Sequence, residues 1–319
     1  MSVAMCLLLY SVLALTAGPP ALSRLTRGGD APGLGVSVWL AAMLSVLGSW
    51  ISATVFLAAD VVHTGWTGVA MWRACLAVVR NVAAGGHGFL VQAIALAIVA
   101  AAVFGLGRLG WRVQCALSRA SRQAAEHAHA AKIVGRHYPG LDAVVLDGRT
   151  PAAYCVADPT RTTIVTTGAL HVLDSAQLDA VLTHERAHLD EHHHLLITLS
   201  RSLATALPWI ALFSRGAAEI ARLLEMRADD AAVRAHGRQT LLEAFAAITT
   251  GSGVPAAALA ATGGDMLSRA QRLMSPPRGH RLPLAVCSRL VVTGVLITSP
   301  IAVATVTAVN SGLCSFAAL

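Results

Sequence analysis

The sequence predicts a mainly α-helical membrane protein, with about four transmembrane helices and a small α+β domain held on one side of the bilayer. Three observations predict it. Apolar residues make up 55% of the 319-residue chain and charged residues only 13%, with a mean hydropathy of +0.62. That is outside the range of soluble globular domains. The apolar excess is gathered in uncharged runs that reach the ~20 residues a helix needs to cross a bilayer core. Regular polar content is confined to residues 115–282, which also hold three short β-like runs.

Residues 2–18 (SVAMCLLLYSVLALTAG) form the first span. No cationic segment precedes them, as one would precede the apolar core of a secretory signal. Residues 34–59, 89–107 and 290–309 supply three more. The expected organisation is a membrane region over 1–114 with three transmembrane helices, a polar domain over 115–282, and a fourth helix with a short tail over 283–319. Arginines orient the bundle. Arg24 and Arg27 lie between the first two spans, Arg108, Arg112, Arg119 and Arg122 follow the third, and Arg269, Arg272, Arg278, Arg281 and Arg289 precede the fourth. By the positive-inside rule both flanks of the polar domain face the cytoplasm. Arg73 and Arg80, between the second and third spans, run against the rule; the apolar stretch around them, TGWTGVAMWRACLAVV, is expected to lie along the interface.

The net charge of +7 and pI near 9.6 come from these flanking arginines, so the expected electrostatic partner is membrane lipid and no direct nucleic acid binding is expected. The six cysteines are scattered without a CxxC pair, which excludes a zinc ribbon or disulfide framework and leaves small apolar packing. Residues 251–264 (GSGVPAAALAATGG) read as a loop.

Within the polar domain, residues 115–134 read as an alanine-rich helix leaving the membrane. DAVVLD (142–147), AAYCVA (152–157) and TTIVTT (162–167) read as strands, the last two forming a hairpin around Asp158-Pro159-Thr160-Arg161. Asp174 or Ser175 then caps a helix whose Leu178, Val181, Leu182 and Leu189 repeat at helical spacing. On that helix lies THERAHLDEHHH (183–194), with five histidines in the eleven positions from His184.

His184 and His188, four residues apart, stand one above the other on a helix face and can share one zinc ion, with Glu185 beside them as a base. His192 lies about 12 Å further along the same axis and cannot join them. A turn bringing it back would be made at a glycine, and residues 189–191 offer none. His192, His193 and His194 are therefore expected to close the helix as donors to its last carbonyls. The third ligand must come from another element. Of Glu219, Glu225 and Glu243, only Glu225 has a carboxylate one turn later, Asp229, suited to accept a hydrogen bond from the free nitrogen of a ligand histidine. The apolar run 195–213 lies between the motifs. A single crossing there would put Glu225 on the far side of the bilayer, and two crossings need ~40 residues where 36 are present. An interfacial or buried helical hairpin is the expected solution.

The blocks HYPG (137–140), PAAYCV (151–156), IVTTGAL (164–170), LDAVLTHERAHLDEHHHLL (178–196) and EMRADDAAVR (225–234) resemble the membrane-bound zinc metallopeptidases of the BlaR/MecR antirepressor type. The resemblance covers about a third of the chain. It implies a gluzincin-like zinc domain on the cytoplasmic face of a bacterial cell membrane. One Zn2+ would sit on His184, His188 and Glu225, with Glu185 as catalytic base and Asp229 behind a ligand. It also implies a protein substrate lying along a sheet edge at Ala153 and Tyr154, the target being a cytoplasmic DNA-binding repressor. Tyr154 and His236 are candidate donors to the oxyanion. Well-studied members carry an extracellular penicillin-binding sensor after the last span; this sequence ends about ten residues after its fourth apolar run, so direct β-lactam sensing is not expected. Two other readings compete. A quality-control protease of the HtpX and CAAX-prenyl-protease group shares the histidine motif but usually inserts membrane segments between the motifs. A non-enzymatic receptor with a structural metal is disfavoured, because three protein ligands leave an open position.

Overall fold

The computed structural model describes residues 3–63, 88–138, 141, 143–251, 264–275 and 282–316. The interfacial segment expected around Arg73 and Arg80 lies outside them, as does the loop expected over 251–264 except for its end residues, Gly251 and Gly264, which belong to helices. Helices α1 (Val3–Thr26) and α2 (Pro32–His63) form a hairpin through a short turn. Helix α3 (Gly88–Val134) runs without a break from the third apolar run into the polar domain, so the boundary expected at 114/115 falls inside one helix.

Four short strands follow: β1 (Arg136–His137), β2 (Val144–Leu146), β3 (Ala153–Cys155) and β4 (Thr163–Thr166), in the order β1-β2-β4-β3. The expected hairpin is β3–β4, antiparallel, with Tyr154 opposite Ile164. Its turn is set by Asp158, whose carboxylate accepts from the Thr162 N–H at 2.8 Å and pairs with Lys132 of α3 at 3.3 Å. Strand β2 runs parallel to β4, and β1 adds a short fourth strand not anticipated from the sequence. The order leaves β3 at an edge.

Helix α4 (Thr167–Val172) is capped by the Thr166 hydroxyl. Helix α5 (Ser175–Asp190) opens with a full capping box, Asp174 accepting from the Gln177 N–H and Gln177 returning the bond. Next come α6 (His193–Ala206) and α7 (Ala211–His236), then α8 (Arg238–Gly251), α9 (Gly264–Met274) and α10 (Leu282–Phe316). Leu178, Val181 and Leu182 of α5 pack with Val165 of β4 and Ala244 of α8, fixing α5 against the sheet.

The apolar run 195–213 is the α6–α7 hairpin. It turns over residues 207–210 and exposes Trp209 at its tip. Leu203, Leu212 and Phe213 are buried against Trp39, Met43 and Val46 of α2. The contact is close at Gly216, where a Cβ would lie 2.9 Å from Trp39 Cε3, so only glycine lets α7 lie this near α2. The turn between α1 and α2 is tied to the same helix. Arg222 of α7 donates to the Thr26 carbonyl at 3.2 Å, and the buried Arg289 of α10 donates to the Leu25 and Ala31 carbonyls at 3.0 Å each. These cations tie the end of α1 and the start of α2 to α7 and α10, adding to the backbone bonds that the Thr26 and Ala31 carbonyls already accept.

Among the described residues, α1, α2 and α3 are long and apolar enough to cross a membrane. Helix α10 is 35 residues long and covers the fourth expected span at 290–309; its apolar stretch Val286–Ala302 is the continuous part whose side chains are described.

Candidate metal centre

Helix α5 presents His184 and His188 on one face, and α7 brings Glu225 opposite them. His184 Nε2 and His188 Nε2 lie 3.2 Å apart, and they lie 3.5 and 3.6 Å from the two Glu225 carboxylate oxygens. A tetrahedral ion with ~2.0–2.1 Å bonds holds its ligand atoms about 3.3 Å apart. The three groups therefore fit one zinc ion, and two imidazoles with a carboxylate are a donor set that suits it.

Each histidine turns its other nitrogen to a partner. His184 Nδ1 lies 3.1 Å from Asp229 Oδ1, close but off the line of a well-aligned hydrogen bond. Asp229 is fully buried and is gripped by Arg269 of α9, through Nε at 2.9 Å and Nη2 at 2.6 Å. The same guanidinium reaches Glu225 through Nη1 at 2.8 Å. Arg269 belongs to the centre, although its sequence position marks it only as one of several arginines near a span. Arg269 and Arg272, three apart, meet the adjacent Asp229 and Asp230, with Arg272 Nη2 2.8 Å from Asp230, but Arg278 and Arg281 share that spacing, so it did not single them out.

His188 is held by a residue that the sequence assigned elsewhere. The chain does turn after α5, and without a glycine, because His192 adopts the left-handed conformation at φ 55°. Histidine tolerates that region better than most residues. The turn starts α6 at His193, which is buried, with Nδ1 2.9 Å from His188 Nδ1 and Nε2 3.0 Å from Glu191 Oε2. Arg227 of α7 completes the chain on Glu191. The expectation that His193 closes α5 is thus corrected. With the His188 Nε2 lone pair facing the ion, Nδ1–H donates to His193, and His193 Nε2–H donates to Glu191. His193→Ala is expected to weaken zinc binding about 10–100-fold, the usual effect of removing such a partner. Competition with a chelator measures it, and wild-type affinity in that variant would show that His188 needs no such support.

Glu185 is half buried beside the cluster. Burial pushes its carboxyl pKa up, opposed by His184 and by the Cys155 N–H of β3, which donates to it. Ala152 and Val156 bond β4 through their backbones, at 2.9 and 2.8 Å. By the alternation of a strand, the Ala153 and Cys155 peptide groups then face away from β4, toward the free edge. The Tyr154 side chain stands on the other face, its hydroxyl 3.0 Å from His127 Nε2 of α3. His236 Nε2 lies 2.8 Å from the Thr183 hydroxyl. Of the two expected oxyanion donors, Tyr154 is bonded to α3, because neighbouring side chains of a strand point to opposite faces, and His236 is bonded to the residue preceding His184.

A gap of ion size between two imidazoles and a carboxylate, with a second glutamate alongside, defines a metallopeptidase centre. Residues 117–276, half of the chain, match the model of peptidase family M48, and the chain belongs to that family. The matched region runs from α3 through α9 and includes every residue of the cluster as well as Arg269. No curated protein and no solved structure matches the chain.

Proposed function

We propose that the chain is a membrane-bound zinc endopeptidase that hydrolyses peptide bonds of a cytoplasmic protein, with residues 115–282 as its catalytic unit. The observation that carries this reading is the meeting of His184, His188 and Glu225 from two helices, with Glu185 beside them. A zinc ion held by His184, His188 and Glu225 would polarise a scissile carbonyl and lower the pKa of a water towards ~7. Glu185 takes the proton of the attacking water and delivers it to the leaving amine, and its raised pKa suits a group that must do both. Asp229 and His193 hold the ligand rings. The Ala153 peptide group at the β3 edge binds an extended substrate through its backbone, a mode that tolerates varied side chains. The arginine distribution supports a cytoplasmic catalytic side, and the apolar helices support a location in the cell membrane, bacterial by the resemblance. The antirepressor resemblance supports a DNA-binding repressor as target and hence a regulatory role.

Affinity capture with the Glu185→Gln protein in its native membrane tests the reading. One or two cytoplasmic regulators, a DNA-binding protein among them, are expected. A broad set of damaged membrane proteins would move the role to quality control of the HtpX kind. Cleavage of the captured protein by the variant at the wild-type rate sinks the enzymatic reading.

The cluster also sets how zinc binding depends on pH. Burial opposes charge on His184, but Asp229 and Glu225 outweigh it and push its pKa up to about 9. Burial pushes His188 well down, leaving it neutral. Without metal, His184 therefore keeps its proton throughout the neutral range, and zinc must displace that proton. Binding is expected to release about one proton from His184 below pH 9 and to tighten about tenfold per pH unit as pH rises towards that value. Calorimetry in buffers of different ionisation enthalpy counts the proton, and a pH-independent affinity contradicts the assignment of His184 as a ligand.

A further inference from the structure

The support of His188 does not end at Arg227. Glu191 Oε2 accepts from both His193 Nε2 and Arg227 Nε, so one carboxylate oxygen joins the ring that holds His188 to a cation on α7. Arg227 in turn lies over the start of α2. A Cβ on Gly33 would overlap Arg227 Nη1 and lie 2.9 Å from its Cζ and 3.5 Å from its Cδ, and these are the three heavy atoms nearest that position. Gly33 does not have a positive φ, so its backbone would accept any residue. What calls for glycine there is room for the guanidinium, which is held between α2 and the Glu191 carboxylate. The turn before α2 also reaches the support of the other histidine. Arg272 Nη2 donates to the Gly29 carbonyl at 3.2 Å and to Asp230 at 2.8 Å, next to the Asp229 that faces His184.

We infer that Arg227 is a positioning residue of the metal centre, acting on His188 through Glu191 and His193, and that the start of α2 sets where it stands. The inference rests on the zinc reading given above. With its Nε2 lone pair facing the ion, His188 is oriented by the bond from Nδ1–H to His193. His193 can accept that bond at Nδ1 only while its own proton sits on Nε2, where Glu191 receives it. Arg227 fixes the carboxylate oxygen that does so. A displaced guanidinium frees Glu191, then the His193 ring, and His188 loses its orientation although no ligand has changed. Pro32–Ala58 of α2 is long and apolar enough to cross a membrane. Because packed side chains transmit a displacement rather than absorb it, the zinc affinity of the centre then depends on how α2 sits in the bilayer.

The test uses the full chain in detergent, with zinc affinity measured by chelator competition and stability of the zinc-free protein by denaturation. Gly33→Ala puts one methyl group where the guanidinium lies and leaves every polar side chain of the relay in place. Alanine is the better helix former, so stability should not fall, yet zinc affinity should drop about tenfold, the lower end of the range for a lost outer support. Arg227→Ala should lose the same amount. In the double variant the methyl group meets open space, so Gly33→Ala should cost nothing further, the non-additivity of two changes that act through one group. Gly48→Ala, on the same helix with no heavy atom within 4 Å, should bind zinc as the wild type does. Wild-type affinity in Gly33→Ala or in Arg227→Ala overturns the inference, and so do losses that add in the double variant, since α2 would then act by another route. His188→Ala separates this inference from the reading beneath it. If that variant binds zinc as tightly as the wild type, the ligand assignment itself falls and the inference with it. If it loses zinc while Gly33→Ala does not, the ligands stand and only the link to α2 is wrong.

Discussion

Glu185→Gln is expected to keep its zinc and lose its hydrolysis. The amide has the shape of the carboxylate and can still sit by the Cys155 N–H of β3, but it cannot accept the proton of an attacking water. Loss of a positioned general base costs about 10²–10⁴-fold, and here the same group also serves the leaving amine. His184, His188 and Glu225 are untouched, so the metal should remain at wild-type stoichiometry. Metal content and turnover of a captured substrate, measured on one preparation, separate the two effects. A variant without zinc would mean that Glu185 is part of the ligand set, and one with zinc and full activity would mean that the base is another group.

The second large effect is expected at Arg269. Its guanidinium neutralises two carboxylates at once, the fully buried Asp229 and the ligand Glu225. Burial alone would raise the Asp229 pKa; Arg269 and His184 together hold it down. Arg269→Ala leaves that carboxylate buried beside Glu225 with only His184 to answer it. Breaking a buried pair from one side costs about 3–5 kcal/mol, so the zinc-free variant should unfold at clearly lower denaturant concentration. The sign with pH follows from the depressed Asp229 pKa. Its contribution is present above the ordinary carboxylate range and lost on acidification through the folded value, so the variant's deficit should shrink in acid. Arg269→Lys is expected to recover only part, because an ammonium cannot grip both carboxylates as a planar fork does. Equal denaturation midpoints for the wild type and Arg269→Ala would show that the cluster tolerates the loss.

The parts of the site legible in the sequence were those set by local geometry. His184 and His188 could be paired because one turn of helix separates them, and His192 could be excluded because two turns cannot be bridged by a single ion. Glu225 was reached by elimination, as the one later glutamate with a carboxylate one turn on, at Asp229. The strand pairing of residues 152–167 was legible in the Asp-Pro turn between them. What escaped was set by contacts between distant segments. Arg269 is 40 residues from Asp229 in the chain, and nothing in its own neighbourhood distinguishes it from arginines that flank a span. His193 escaped for a subtler reason. Glycine is the usual residue for a left-handed turn but not the sole one, and at His192 the rule was applied too strictly.

The sequence by itself determined the apolar helices, the arginine asymmetry around them, and the two imidazoles on one helix face. These follow from hydrophobic length, charge and the 3.6-residue turn, all properties of short segments. Only the tertiary structure decided which cation steadies the Glu225 carboxylate, which residue holds the His188 ring, and that β3 lies at the edge of its sheet. Those depend on how α5, α7 and α9 pack, and packing is a property of surfaces brought together rather than of any one stretch of chain.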